Sequence, residues 1–145
     1  MKLEKLLKAM IVLVITAFMW GCGGGGGGAP STPATPATSL TIVSSGGGQY
    51  SVQGNNLNGV AALEFNLVYD SSTLSSPTVT QGDYISGALF ESNALTPGTI
   101  SFYLVSTTPF SGTGQIAKVS FAEHTGTPAV TVTAVKMYNL KGDPI

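Results

Sequence analysis

AALEFNLVY, residues 61–69, alternates without a break, and its reading decides the fold class. Leu63, Phe65, Leu67 and Tyr69 fall on one side of an extended chain, and Ala62, Glu64, Asn66 and Val68 on the other. That period of two is the signature of a half-buried β-strand, since successive side chains of a strand point to opposite faces. Asp70-Ser71-Ser72 follows, a group whose side chains bond their own backbone and end strands in turns.

Working outward, the same alternation recurs between clusters of Gly, Pro, Asn and Ser. Upstream, Ser39–Ser44 and Gln49–Gln53 are short strands split by Gly46-Gly47-Gly48. Gly54-Asn55-Asn56 reads as the next turn. Downstream come Pro77–Gln81, then Thr99–Val105 with Ile100, Phe102 and Leu104 on one face and Ser101, Tyr103 and Val105 on the other. Ile116–Phe121 should turn Ala117, Val119 and Phe121 inward. In Ala129–Tyr138 the apolar phase shifts from Val130 and Val132 to Val135 and Met137, which predicts a β-bulge near Ala134. No helical periodicity persists after Ser39. About seven strands at this spacing predict an all-β sandwich over residues 39–145.

The first 38 residues have a different character. Lys2, Lys5 and Lys8 form a basic start, and Ala9–Trp20 is an apolar run of 12 residues. A spanning helix needs roughly 20. Gly21 then precedes Cys22, the only cysteine. Met19-Trp20-Gly21-Cys22 resembles the lipobox of a bacterial lipoprotein signal, although Trp20 stands where a small residue is usual. The resemblance implies cleavage after residue 21 and lipidation of Cys22. An ordinary secretory signal with an incidental thiol, or an uncleaved anchor, is the blander reading. Residues 22–38 then form a linker. Gly23–Gly28 are six consecutive glycines, and Pro30, Pro33 and Pro36 recur every third residue. A flexible joint followed by a polyproline II spacer reaching roughly 30 Å is expected. The domain is thus placed in the cell envelope, outside the cytoplasm, on a lipid anchor.

Charge excludes several functions. Only 9 % of residues are charged, there is no arginine, and from Cys22 onward three lysines face six acids, a net of −3. Binding to a phosphate backbone needs clustered cations, so nucleic acid is not an expected partner. The single histidine, His124, lies in a turn-like stretch with no G-x-S-x-G elbow anywhere in the chain. One His and scattered acids supply no metal site, and no cofactor is expected. Asp70 and Asp83 are read as turn caps rather than as a joint site. Catalytic residues are therefore expected to be none. A sugar ligand would be met by exposed aromatic faces. Tyr103 is the best outward candidate, with Tyr50, Tyr84 and Tyr138 behind it, whereas Phe65 and Tyr69 are read as core.

Four pieces in order resemble the cohesin family. Ala62–Asp70 is similar to its A-x-F-x-L-x-Y-D strand, with Ser75–Asp83 like the stretch that follows. Thr99–Val105 resembles the G-T-I-x-x-x-L strand. Gly112–Phe121 resembles the G-x-G-x-L-A-x-I-x-F block, and Val135–Asn139 with Gly142–Ile145 the penultimate strand and its acidic turn. The resemblance implies a jelly-roll sandwich of about nine strands, a non-catalytic module, and a dockerin-type protein partner. Such folds also resemble carbohydrate-binding modules, so a polysaccharide ligand linked to polysaccharide degradation is the alternative. Pairing of an open edge with another chain is a third. The resemblance further implies a strand beyond Ile145, pairing beside the first strand, which this sequence does not reach. An open edge or an incomplete chain is therefore expected. The stretch before Ala61 is also shorter than in the family. The binding face is expected to use alternate residues of Thr99–Val105 and Ala61–Tyr69.

Overall fold

The structure, a computed structural model, describes residues 36–126 and 128–145. The predicted signal segment 1–21, Cys22 and most of the 22–38 linker lie outside the described residues. Alternation of apolar and polar residues is realised as six strands among the described residues. They are β1 (Ser39–Gly46), β2 (Gln49–Tyr69), β3 (Leu74–Gln81), β4 (Leu89–Asn93), β5 (Thr99–His124) and β6 (Val130–Tyr138). One 3-10 turn, Asp83–Ile85, joins β3 to β4.

β2 and β5 run antiparallel along nearly their whole lengths and organise everything else. Gln49–Gly54 pairs with Ser120–Gly114, and Ala62–Val68 with Val105–Thr99. Between these blocks the register slips repeatedly, at Gly54/Leu57, Asn58/Val60 and Val60/Ala62. Bulges bend and twist a strand pair. Asn56 (φ 49°) and Gly112 (φ 109°), both left-handed, lie in this stretch. The ribbon therefore contributes to two faces. One has the order β1-β2-β5-β3, using the first half of β2 and the second half of β5. The other has the order β6-β2-β5-β4, using the opposite halves.

The two faces share one core. Val52, Ile116 and Val119 from the first join Phe65, Leu67, Ile100 and Phe102 from the second in a single buried cluster. Tyr69 packs on Phe121 across the halves with ring centroids 4.8 Å apart. Each fully buried aliphatic or aromatic side chain contributes about 1.5–3 kcal/mol relative to exposure. The inward sets predicted for 61–69, 99–105 and 116–121 are all buried.

Four expectations change. Gln49–Gln53 and Ala61–Tyr69 are one strand, as are Thr99–Val105 and Ile116–Phe121, because Gly54-Asn55-Asn56 is a bulged bend and not a chain reversal. β4 was not expected. Val135 is 42 % exposed, and only Met137 of its pair is buried. The bulge at Ala134 is as expected. Glu64 pairs with Lys136 and Asn66 with Thr133, so three residues of β6 span two of β2, and Ala134 takes φ 51°. His124, expected in a turn, is the last residue of β5, paired with Leu74 and exposed.

The β3/β4 side of the molecule is closed by the 3-10 turn. Gln81 Nε2 donates to the carbonyls of Ile85 (2.8 Å) and Ala88 (3.3 Å), and Ile85 is fully buried. Gly114 is required here by close approach, since a Cβ at that position would lie 2.2 Å from Tyr84 Cγ.

Candidate protein-interaction face

The register of β6, β2, β5 and β4 lines up four outward side chains in one row. Lys136 is opposite Glu64, Glu64 opposite Tyr103, and Tyr103 opposite Glu91. One step along the strands, Tyr138, Ala62, Val105 and Leu89 form a second row by the same pairing. A third step in the other direction brings Thr133, Asn66, Ser101 and Asn93 together.

These rows divide the face chemically. Its β4–β5 half carries the exposed apolar side chains, beside Glu91 and Asn93: Leu89 is 68 % exposed, Val105 55 % and Tyr103 49 %. Leu95, just past β4, is 88 % exposed. Single exposed apolar side chains are ordinary, but adjacent ones rimmed by polar groups mark interaction surfaces. The β2–β6 half is polar. Lys136 Nζ donates to Glu64 Oε2 at 3.1 Å, with both side chains largely solvated. Glu64 beside it raises the Lys136 pKa. A pair this exposed contributes little to stability, so its role lies more in orienting charge than in holding the sheet.

The floor beneath is a packed aromatic layer. Phe65 and Phe102 stack with centroids 4.5 Å apart and planes 4° from parallel, and Phe90 lies 6.0 Å from Phe102. Two shallow hollows meet at Tyr103. One, about 150 Å³, is bounded by Glu64, Asn66, Ala134 and Lys136. The other, more open, is bounded by Glu91, Asn93 and Leu95. Neither is an enclosed small-molecule cavity of the kind that buries most of a ligand.

Of the tyrosines expected to meet a ligand, Tyr103 stands at the centre of this face. Tyr138 borders it, half-buried. Tyr50 is in the core, 7 % exposed, with its ring edge-on to Phe121 and its hydroxyl donating to the Pro128 carbonyl at 3.3 Å. Tyr84 is half-buried over Gly114, 5.7 Å from Phe110, and burial raises the pKa of its hydroxyl. Tyr50 is a core residue, Tyr84 is half-covered, and neither lines the hollows at Tyr103. The residues the sequence reading missed are Leu89, Glu91 and Leu95. Their segment, Leu89–Asn93, is short and mostly polar, and only its pairing with β5 makes it a strand.

Three further carboxylates are engaged in structure. Asp70 Oδ1 accepts from Ser72 N (2.9 Å) and Ser72 Oγ (2.6 Å), which holds its carboxyl below the usual range and makes it a turn cap, as predicted. Ser75 Oγ donates to Glu123 Oε2, and Asn139 Nδ2 to Asp143 Oδ2. Asp83 is the first residue of the 3-10 turn, but no side-chain hydrogen bond caps that turn, so the cap expected of it is not made. Among the described residues no three His, Cys, Asp or Glu side chains gather as metal ligands would.

Comparison with known proteins agrees with this architecture. The family model for the cohesin domain matches residues 48–143. A non-cellulosomal cohesin from the hyperthermophilic archaeon Archaeoglobus fulgidus superposes with a TM-score of 0.67 at 21 % identity, over 76 % of this chain and 83 % of that one. The second type II cohesin module of the ScaA scaffoldin of Acetivibrio cellulolyticus gives 0.64 at 15 % identity, over 77 % and 84 %. A type I cohesin–dockerin complex from Clostridium thermocellum gives 0.58 at 16 % identity, over 73 % and 78 %. No curated protein matches the chain.

Proposed function

The chain belongs to the cohesin domain family, and on that premise we propose that it is a non-catalytic recruiting module that binds a dockerin-type protein module through the β6-β2-β5-β4 face. One observation carries this reading: Leu89, Val105 and Tyr103 form a contiguous exposed apolar patch beside the charged Glu64–Lys136 pair. Apolar anchors at the centre and charges at the rim are the anatomy of a protein interface. The stacked Phe65–Phe102 floor presets the surface, so little ordering entropy is lost on docking. The cohesin–dockerin complex among the structural neighbours supports the same class of partner.

We place the module at a bacterial cell envelope, with Cys22 lipidated and the 22–38 linker holding the domain away from the membrane. The basic start, the 12-residue apolar run and the position of Cys22 support this. No helix among the described residues is long and apolar enough to cross a membrane. Radiolabelled palmitate should enter the wild-type chain and not Cys22→Ser. Label retained in the variant would remove the anchor.

The partner is tested with residues 35–145 as immobilised bait against dockerin-bearing enzymes of the source organism. Insoluble cellulose and chitin run in parallel. Retention of a dockerin module, lost in Leu89→Asp, is the expected result. Binding to polysaccharide with no protein retained would transfer the face to the carbohydrate reading.

A further inference from the structure

An asparagine carries an amide carbon within reach of the next residue's peptide nitrogen, and the two can close a five-membered ring. A Cβ on the following residue shields that nitrogen, and glycine has none. Asn58-Gly59 is the only Asn-Gly step in the chain, so this chemistry is confined to one place. The other asparagines are followed by Asn56, Leu57, Leu67, Ala94 and Leu140.

The fold leaves that step open. Leu57 and Val60 are buried to 3 % and 1 % exposure, and Asn58 and Gly59 lie between them where the β2–β5 register slips. Asn58 is exposed, and its amide bonds to no other described residue. By contrast, Asn55 Nδ2 donates to Thr41 Oγ1, Asn93 Oδ1 accepts from Leu95 N, and Asn139 Oδ1 accepts from Lys141 N and Asp143 N. Gly59 takes φ 70°, and the space on its Cβ side is empty. It has no partner in the β2–β5 register. Its N–H donates instead to Ser111 Oγ at 3.1 Å, and Ser111 is exposed. A hydroxyl on a rotatable side chain releases its donor more readily than a carbonyl fixed in a ladder.

We infer that Asn58 is a self-modification site, whose conversion to aspartate and isoaspartate is held in check by Ser111. Hydroxide from solvent takes the Gly59 amide proton, and the nitrogen attacks Asn58 Cγ. The N–Cγ bond forms, the Cγ–Nδ2 bond breaks, and the amide leaves as ammonia after taking a proton from water. Water then opens the cyclic imide. Cleavage of the new N–Cγ bond leaves an aspartate. Cleavage of the original peptide bond leaves an isoaspartate, whose backbone runs through the side-chain carbon. No enzyme or cofactor enters, because both reacting groups are held on adjacent residues of one chain. While Ser111 accepts the Gly59 N–H, that proton is less available and the nitrogen is not free to move. Either product adds a carboxylate to a sequence whose net charge from Cys22 onward is −3. Isoaspartate also lengthens the backbone by one methylene between the buried Leu57 and Val60. Both anchors then keep their places only if the bend between the two halves of β2 shifts.

The test holds the full chain in mildly alkaline buffer. Peptide mapping by mass spectrometry follows the amide-to-acid conversion at each asparagine, with isoaspartate scored separately. Conversion should be fastest at Asn58 and should rise with pH, since the deprotonated nitrogen is the nucleophile. Ser111→Ala should raise the Asn58 rate about fivefold, the factor that one net hydrogen bond represents. Ser111→Thr keeps the hydroxyl and should hold the wild-type rate. Thr113→Ala controls for general loosening of the bend, since Thr113 Oγ1 accepts from Asn56 N at 3.1 Å and not from Gly59 N. It should leave the Asn58 rate unchanged, even where both alanine variants melt at the same lowered temperature. Conversion at Asn58 no faster than at the other asparagines would overturn the inference. So would a rate that Ser111→Ala does not raise, or that Thr113→Ala raises equally.

Discussion

Tyr103 and Ala134 show how much a single position carries. Tyr103 is the outward member of a strand whose inward members, Phe102 and Leu104, are buried to within 2 %. Truncating it removes interface area and leaves the core intact. Tyr103→Ala should therefore weaken partner binding about 30-fold or more, the ~2 kcal/mol of an aromatic hot spot, with an unchanged melting temperature. A titration paired with a thermal melt checks both halves. Phe102→Ala is the converse: it empties half of the Phe65–Phe102 stack and should cost about 3–5 kcal/mol in chemical denaturation. Ala134 sits at φ 51°, where a Cβ is disfavoured. Ala134→Gly should stabilise the fold by about 0.5–1 kcal/mol, read as a small rise in denaturation midpoint. Asp70 supplies the pH dependence. Its folded-state pKa lies below the ordinary value because Ser72 donates twice to it. Its stabilisation is thus complete above the usual carboxylate range and is lost as pH falls through the lowered folded value. Asp70→Asn should flatten that part of a melting-temperature profile against pH.

Strands were readable where alternation was long, and misread where it was interrupted. Residues 61–69 and 99–105 declared both their strand and its inward side, and the phase shift at Val132/Val135 located the bulge. Gly54-Asn55-Asn56 misled because glycine and asparagine serve a bulged bend as well as a turn. What distinguishes the two is Gly112–Gly114 running alongside, a contact more than fifty residues away. β4 was invisible for a related reason: LFESN has no alternating apolar pair, and hydrogen bonds to β5 alone make it a strand. That omission hid half of the candidate face, since Leu89, Glu91 and Leu95 come from β4 and its exit. Tyrosine composition could not separate exposed from buried rings either. Tyr50 and Tyr84 take inward or half-covered places set by register and by Gly114. Gly82 offers a check on the β3 exit. A Cβ there would lie 2.0 Å from the Gln115 carbonyl oxygen, so Gly82→Ala should displace the 3-10 turn and lower the melting temperature by several degrees.

Taken together, two long bent strands give the molecule two outer faces of different chemistry around one core. The β1-β2-β5-β3 face is dominated by Thr, Ser, Gln and Asn with Lys118 its one exposed strand cation. The β6-β2-β5-β4 face carries the apolar patch and the Glu64–Lys136 pair. The same fold therefore separates the proposed recognition surface from a plain one, and the proposed function depends on that asymmetry. It is tested most directly by titrating a dockerin module against the wild-type domain and two face variants of matched stability, Leu89→Asp on β4 and Thr78→Asp on β3. The account predicts that Leu89→Asp weakens binding by about 30-fold or more while Thr78→Asp leaves it unchanged. Binding insensitive to Leu89→Asp, or lost on Thr78→Asp, would contradict it.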